Sequence, residues 1–379
     1  MGMRIRIATL FCVFSAWAGV CAAAPTEREL IRAALAAAGT ADPIDVTLAQ
    51  IAIERELDRI EHRLGGGRPT VHRAHRLHEL LQKRYLRQYE PTADGLAAIL
   101  ERGSYNCLSA TLLYGLVSRR LGFEALVLER PSHLRLRLRG GTRTVDVETT
   151  QRYGFDPGPA RQVPRAEGVE ETRTGGIGPS RAAPPAAAYR ELPLEAAVGF
   201  AWLNRAWREL EAGRATAAAE HASRAAAQLA GMRGSDAEEL QRLFARAFRG
   251  EYESGRFEDA LAIARLDAGA FSEVTTSRDR LLAAAAKVIE EAADGDEPAR
   301  AESILGDTAS RVSGTRDAQR IVRQMAPIVA AAAVRTGEFE RAARLAQRYA
   351  EAEPDPIEGA RLVAWVESRR RDATTASEP

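Results

Sequence analysis

A glycine recurs through the second half of this 379-residue chain at a nearly constant interval, and that interval constrains the fold more than any other feature. Gly213-Arg-Ala-Thr-Ala-Ala218, Gly255-Arg-Phe-Glu-Asp-Ala260 and Gly337-Glu-Phe-Glu-Arg-Ala342 share one pattern, a glycine with alanine five residues later. Gly295-Asp-Glu-Pro-Ala-Arg300 is a degenerate copy, and the four glycines stand 42, 40 and 42 residues apart. A fixed period of this size means one supersecondary unit repeated, each copy burying its apolar face against the next. The surrounding pattern is helical, so the repeated mark is a helix, a turn glycine and an alanine five residues later. Residues 191–370 are expected to form an all-α solenoid, and 371–379 a loose tail.

The residues that carry chemistry lie elsewhere, between 104 and 150. Cys107 is followed by Leu108, Leu112, Leu113, Leu116, Val117 and Leu121, the apolar stripe of a helix. Ser104 and Asn106 are both good N-cap residues, so the helix is expected to begin at or just before Cys107. There the thiol meets unpaired N–H groups and the positive end of the helix dipole, which favour a thiolate. Gly122 closes the helix, and Glu124–Glu129 reads as a strand. His133-Leu-Arg-Leu-Arg-Leu-Arg139 alternates strictly, which predicts a half-buried strand with its leucines inward. Gly140-Gly141 makes the turn and Thr142–Thr150 returns, with Asp146 and Glu148 on one face by period 2. Singly, such residues have ordinary explanations: a lone cysteine is often a small buried hydrophobe, and a lone histidine is often simply hydrogen-bonded. In this order and on these elements they make a triad-like constellation, since thiol acyl transfer needs a thiolate, a histidine to hold and return its proton, and an acid to orient the imidazole.

A helix starting at cysteine, a strand bearing histidine and a neighbouring strand bearing an acid resemble the transglutaminase-like, papain-like core, over roughly residues 70–156. Val147-Glu148-Thr149-Thr150 is similar to that family's Val-Asp-Pro-Thr segment, with Glu in place of the commoner Asp. Cys107 to His133 is 26 residues and His133 to Glu148 is 15. The likeness is greatest to bacterial transglutaminase-core domains followed by tetratricopeptide-like helices. The Gly-x-Phe-x-x-Ala turn is similar to the tetratricopeptide turn, although that family repeats at about 34 residues. The resemblance implies an α+β transglutaminase-like N-terminal domain, 25–155, followed by an all-α tetratricopeptide-like solenoid. It implies Cys107 as nucleophile, His133 as general base and acid, and Glu148 as orienting acid, with Asp146 the alternate.

Met1–Ala24 reads as a secretory signal, with Arg4 and Arg6 ahead of an apolar run over Ile7–Val20 and Ala22-Ala23-Ala24 at the cleavage site. Cleavage removes Cys12 and Cys21, leaving Cys107 as the one thiol of an exported, periplasmic protein; acylation of Cys21 in a lipoprotein is the alternative. The apolar run is too short for a stable membrane span, so no integral span is expected in the mature chain. Lys and Arg total 53 against 52 Asp and Glu, a balance that argues against general nucleic-acid binding.

Four helices are expected ahead of Cys107: a short one from Thr26, then Ile44–Leu64, Thr70–Leu86 and Ala93–Leu100. Leu48, Ile51, Ile53, Leu57, Ile60 and Leu64 form the apolar stripe of the second. His72, His75 and His78 fall on one broad arc of the third, which a metal would need, but the arginines around them favour a solvated basic face. His62 and His221 read as surface residues. The Pro/Gly/Ala-rich stretch 156–190 reads as a linker, with a lid as the alternative. No nucleotide loop or zinc quartet is present, and no cofactor is expected. Two functions remain: an exported cysteine hydrolase or acyltransferase acting on a peptide or protein held by the repeats, and an inactive periplasmic adaptor that uses the repeats to bind a partner.

Overall fold

The computed structural model describes residues 25–130, 133–156, 189–229 and 235–376. The expected signal segment and almost all of the expected linker lie outside these residues.

The N-terminal part mixes helices with a small sheet. Helix α1 (Glu27–Ala38) opens on a capping box between Thr26 and Glu29. Helix α2 (Pro43–Leu64) is capped by Asp42 and buries Ile53, Leu57, Ile60 and Leu64. Leu48 and Ile51, expected on the same stripe, are instead exposed, because α2 turns Val46, Ala49 and Gln50 inward and these two away. Helices α3 (Val71–Arg84) and α4 (Leu96–Arg102) lead to α5 (Cys107–Arg120), which is almost wholly buried after its first residue. Strand β1 (Gln88–Tyr89) pairs in parallel with β2 (Ser104–Tyr105), just ahead of α5.

Strands β3 (Glu124–Arg130), β4 (His133–Gly140), β5 (Arg143–Val147) and β6 (Arg190–Pro193) form an antiparallel sheet in the order β5-β4-β3-β6. Leu134, Leu136 and Leu138 face the core shared with α5, as their alternation predicts. Gly140 pairs with Arg143, so the turn residues are Gly141 and Thr142 rather than Gly140 and Gly141. Strand β6 follows the expected linker and adds to the edge of β3, so Arg190 belongs to the sheet.

From Ala196 the described chain is helical. The pairs are α6 (Ala196–Glu211) with α7 (Ala215–Gln228), α8 (Ser235–Glu253) with α9 (Phe257–Ala270), α10 (Thr275–Asp294) with α11 (Pro298–Arg311), and α12 (Arg316–Arg335) with α13 (Phe339–Ala352). Helix α14 (Pro356–Ala376) follows, so residues 371–376 continue a helix where a loose tail is expected. The turns within pairs carry a left-handed residue at Gly213, Gly255, Asp296 and Gly337, which makes the intervals 42, 41 and 41. In the degenerate copy the left-handed residue is thus Asp296 and not Gly295, and the buried alanine five positions on is Ala301, equivalent to Ala218, Ala260 and Ala342. The second helix of every pair has 14 residues, and the first has 16 to 20, which accounts for the long period. Arginines bridge successive pairs, as in Arg278–Asp317, Arg320–Asp279 and Arg341–Glu302.

One apolar core runs from Leu30 through the sheet and α5 into α6, α7 and α8, so residue 191 is not a boundary in packing. The seam is close: an added Cβ on Gly115 of α5 would collide with the buried side chain of Leu194. Arg119 forks onto Glu195 with 2.6 and 3.0 Å bonds, and Arg205 of α6 donates to Ala36 O of α1. His221, expected at the surface, is buried and stacked on Trp202 across that core. No helix among the described residues is long and apolar enough to cross a membrane.

Candidate active site

Cys107 is the first residue of α5, half-buried and in no disulfide. Asn106 holds this helix end through every polar atom of its side chain. Oδ1 accepts from the N–H groups of Leu108 and Ser109 at 3.0 and 2.9 Å, and Nδ2 donates to Pro91 O and Asp94 Oδ1 at 3.0 and 2.8 Å. Ser109 completes the capping box by accepting from Asn106 N and donating to Ala93 O. The loop over residues 90–95 therefore cradles the start of α5.

His133 opens β4 and joins the other two residues. Its Nε2 lies 2.7 Å from Glu148 Oε2, and the Cys107 side chain is near enough to the imidazole to raise its pKa. Glu148, one residue beyond β5, is 1% exposed. Oε2 also accepts from Arg135 Nε at 2.6 Å, and Oε1 accepts from Thr150 Oγ1 at 2.7 Å. Burial opposes charge on both partners, and their contacts outweigh it. Cys107 and the bond to Glu148 raise the His133 pKa from 6.5 to about 9, and the bonds from His133, Thr150 and Arg135 lower the Glu148 pKa from 4.5 to about 2. At neutral pH the pair is an imidazolium on a carboxylate.

Asp146 shares the face of Glu148 but not its partner. The strand register sets it opposite Arg137, which grips it with two bonds of 2.6 and 2.7 Å. The structure thus brings Cys107, His133 and Glu148 together and keeps Asp146 on Arg137.

The loop that carries Glu148 is pinned by residues to which the sequence drew no attention. Gln82 donates to Thr149 O at 2.8 Å, Tyr105 Oη to Thr150 O at 3.3 Å, and the Thr111 and Thr149 hydroxyls lie 3.2 Å apart. His78 contradicts the solvated basic face expected for α3: it is 2% exposed and spans α5 and this loop. Its Nε2 bonds Arg152 O at 3.0 Å, and since a carbonyl only accepts, Nε2 carries the proton; Nδ1 then accepts from Tyr114 Oη at 2.9 Å. Burial lowers the pKa of this ring and keeps it neutral. His75 turns outward to Glu79 and against Phe155, so the three histidines of α3 do not converge. Among the described residues no group of three or more His, Cys, Asp or Glu is arranged to hold a metal ion. Gly154 closes the loop: its N–H bonds Gln151 O, its carbonyl accepts from Glu148 N, and a Cβ there would stand 2.7 Å from that of Glu148.

No protein-family model matches this chain, and no curated protein matches it either.

Proposed function

We propose that this protein is an exported cysteine enzyme of the transglutaminase-like, papain-like type, acting on an amide or peptide bond, with a tetratricopeptide-like array that holds a peptide or protein segment. The observation that carries the reading is one imidazole bonded at Nε2 to a buried carboxylate and set beside a thiol at a helix N-terminus. Glu148 is the orienting acid in this scheme, since Asp146 is engaged by Arg137.

The Cys107 sulfur, having given its proton to His133, attacks the carbonyl carbon, and the carbonyl π pair moves onto oxygen. Asn106 caps the N–H groups of Leu108 and Ser109 and leaves that of Cys107 as an oxyanion donor. Collapse of the tetrahedral species expels the amine, which takes the proton from the His133 imidazolium, and a thioester remains on Cys107. His133, now neutral, takes a proton from water or from an acceptor amine, whose attack releases the acyl group and restores the thiol. Water makes the protein a hydrolase and an amine makes it a transferase. Glu148 stays ionised throughout and stabilises the imidazolium each time it forms.

The test is the rate of Cys107 alkylation by iodoacetamide against pH, on wild type and His133→Ala. The reading expects alkylation at neutral pH much faster than for an unperturbed thiol, and loss of that advantage in the variant. A thiol that is slow and indifferent to His133 overturns it and leaves the inactive periplasmic adaptor, with function in the repeats.

A further inference from the structure

A buried carboxylate from the loop ahead of α4 is tied to the cap of the Cys107 helix. Asp94 is 5% exposed, and its two oxygens face different parts of the molecule. Oδ1 accepts from Nδ2 of Asn106, the cap of the Cys107 helix, at 2.8 Å. Oδ2 receives no well-directed hydrogen bond and is instead met by charge, with Nη1 of Arg208 at 2.6 Å and off the hydrogen-bond axis. Burial raises the Asp94 pKa, and Arg208 opposes that rise. Arg208 belongs to α6, the first helix of the repeat array.

We propose that Arg208 acts through Asp94 and Asn106 as a positioning residue for the Cys107 thiol, so that the helical array completes the active site; this rests on the cysteine-enzyme reading above. The Asn106 amide has no spare atom: Oδ1 must face the first turn of α5, and Nδ2 must therefore find acceptors. Asp94 accepts on both oxygens while ionised, and a buried carboxylate is costly without a countercharge. Without Arg208 an unpaired anion stands beside the helix N-terminus and cancels part of the positive end that favours a thiolate, which slows the thiol.

The test is the alkylation rate of Cys107 by iodoacetamide across pH, in the full chain, for wild type, Arg208→Ala, Arg208→Lys and the double variant Asp94→Asn/Arg208→Ala. Arg208→Ala is expected to slow alkylation at pH 7 about tenfold, or ~1.4 kcal/mol. Arg208→Lys keeps the countercharge and stays within about threefold of wild type. The double variant recovers to within about threefold as well, because a neutral amide accepts from Asn106 without a countercharge. Recovery by removing a second buried group is a result that simple loss of packing at α6 does not give. If Arg208→Ala fails to fold, Arg208→Gln, which keeps much of the stem and no charge, carries the same expectation and the same rescue.

Arg208→Ala within twofold of wild type overturns the inference, and so does a double variant as slow as the single. The two levels separate cleanly. A wild-type thiol that ignores His133 removes the enzyme reading and this inference with it. A His133-dependent thiol that ignores Arg208 removes the inference alone.

Discussion

Glu148→Gln replaces the buried carboxylate with a neutral group of the same shape, and the structure sets both the size of the effect and its pH dependence. In wild type, Glu148 bonds His133 and Arg135 on one oxygen and Thr150 on the other. Its pKa moves from 4.5 to about 2 and that of His133 from 6.5 to about 9. At ~1.4 kcal/mol per tenfold change, each displacement corresponds to roughly 3 kcal/mol. They overlap in the same ion pair, so the pair is counted once and the loss in the variant is expected at about 3 kcal/mol, in the range for breaking a buried pair.

The signs follow from linkage. Glu148 has a lowered folded pKa, so its contribution is complete above about 4.5 and is lost as pH falls through about 2. His133 has a raised folded pKa, so its contribution is complete below about 6.5 and is lost as pH rises through about 9. The stability gap between wild type and Glu148→Gln is therefore a plateau from pH 4.5 to 6.5 that shrinks on both sides. Urea unfolding followed by tryptophan fluorescence measures it, since Trp202 and Trp207 lie in the core shared with the sheet. A gap below about 1 kcal/mol at pH 5.5, or one flat from pH 2.5 to 9, refutes the argument.

Gly154→Ala forces a Cβ to within 2.7 Å of that of Glu148 and closer still to its backbone oxygen, so it is expected to cost about 1–3 kcal/mol and to lower His133-dependent alkylation; unchanged alkylation counts against the loop as the support of the acid. Gly255→Ala meets no neighbour within 4 Å, yet φ there is 73°, so a loss of ~1 kcal/mol from backbone strain alone is expected in a thermal melt, with no change in thiol reactivity. His78→Phe removes the imidazole that Arg152 O and the Tyr114 hydroxyl bond, and is expected to destabilise the fold by about 1–3 kcal/mol in urea unfolding; a neutral result counts against the ring as a support of the Glu148 loop.

Much of the local structure is legible in the chain. The alternation over His133–Arg139 gives a strand with buried leucines, and Asn106 ahead of an apolar stripe gives a helix that starts at Cys107. The glycine period locates the turns within the helix pairs, except at Asp296, where a side chain that tolerates the left-handed region replaces glycine and shifts the frame by one. His221 and His78 are buried because another helix covers each: α6 brings Trp202 onto His221, and α5 brings Tyr114 to His78. Helix α14 continues through an arginine-rich run because arginine is a good helix former and its exposed face needs no core.

By itself the sequence determined the periodic features, namely the strand, the Cys107 helix, the paired helices and the order of thiol, imidazole and acid. These depend on repeats of two or 3.6 residues and on capping within a few positions, which neighbours along the chain enforce. Only the tertiary structure decided which acid meets the imidazole, because Asp146 and Glu148 share a face and the strand register alone assigns the first to Arg137 and leaves the second for His133. The same holds for Asp94, which touches Asn106 on one side and Arg208 of the array on the other. No periodicity links those residues. A buried charge must find its partner wherever the fold brings one, and that partner is fixed by packing rather than by position in the chain.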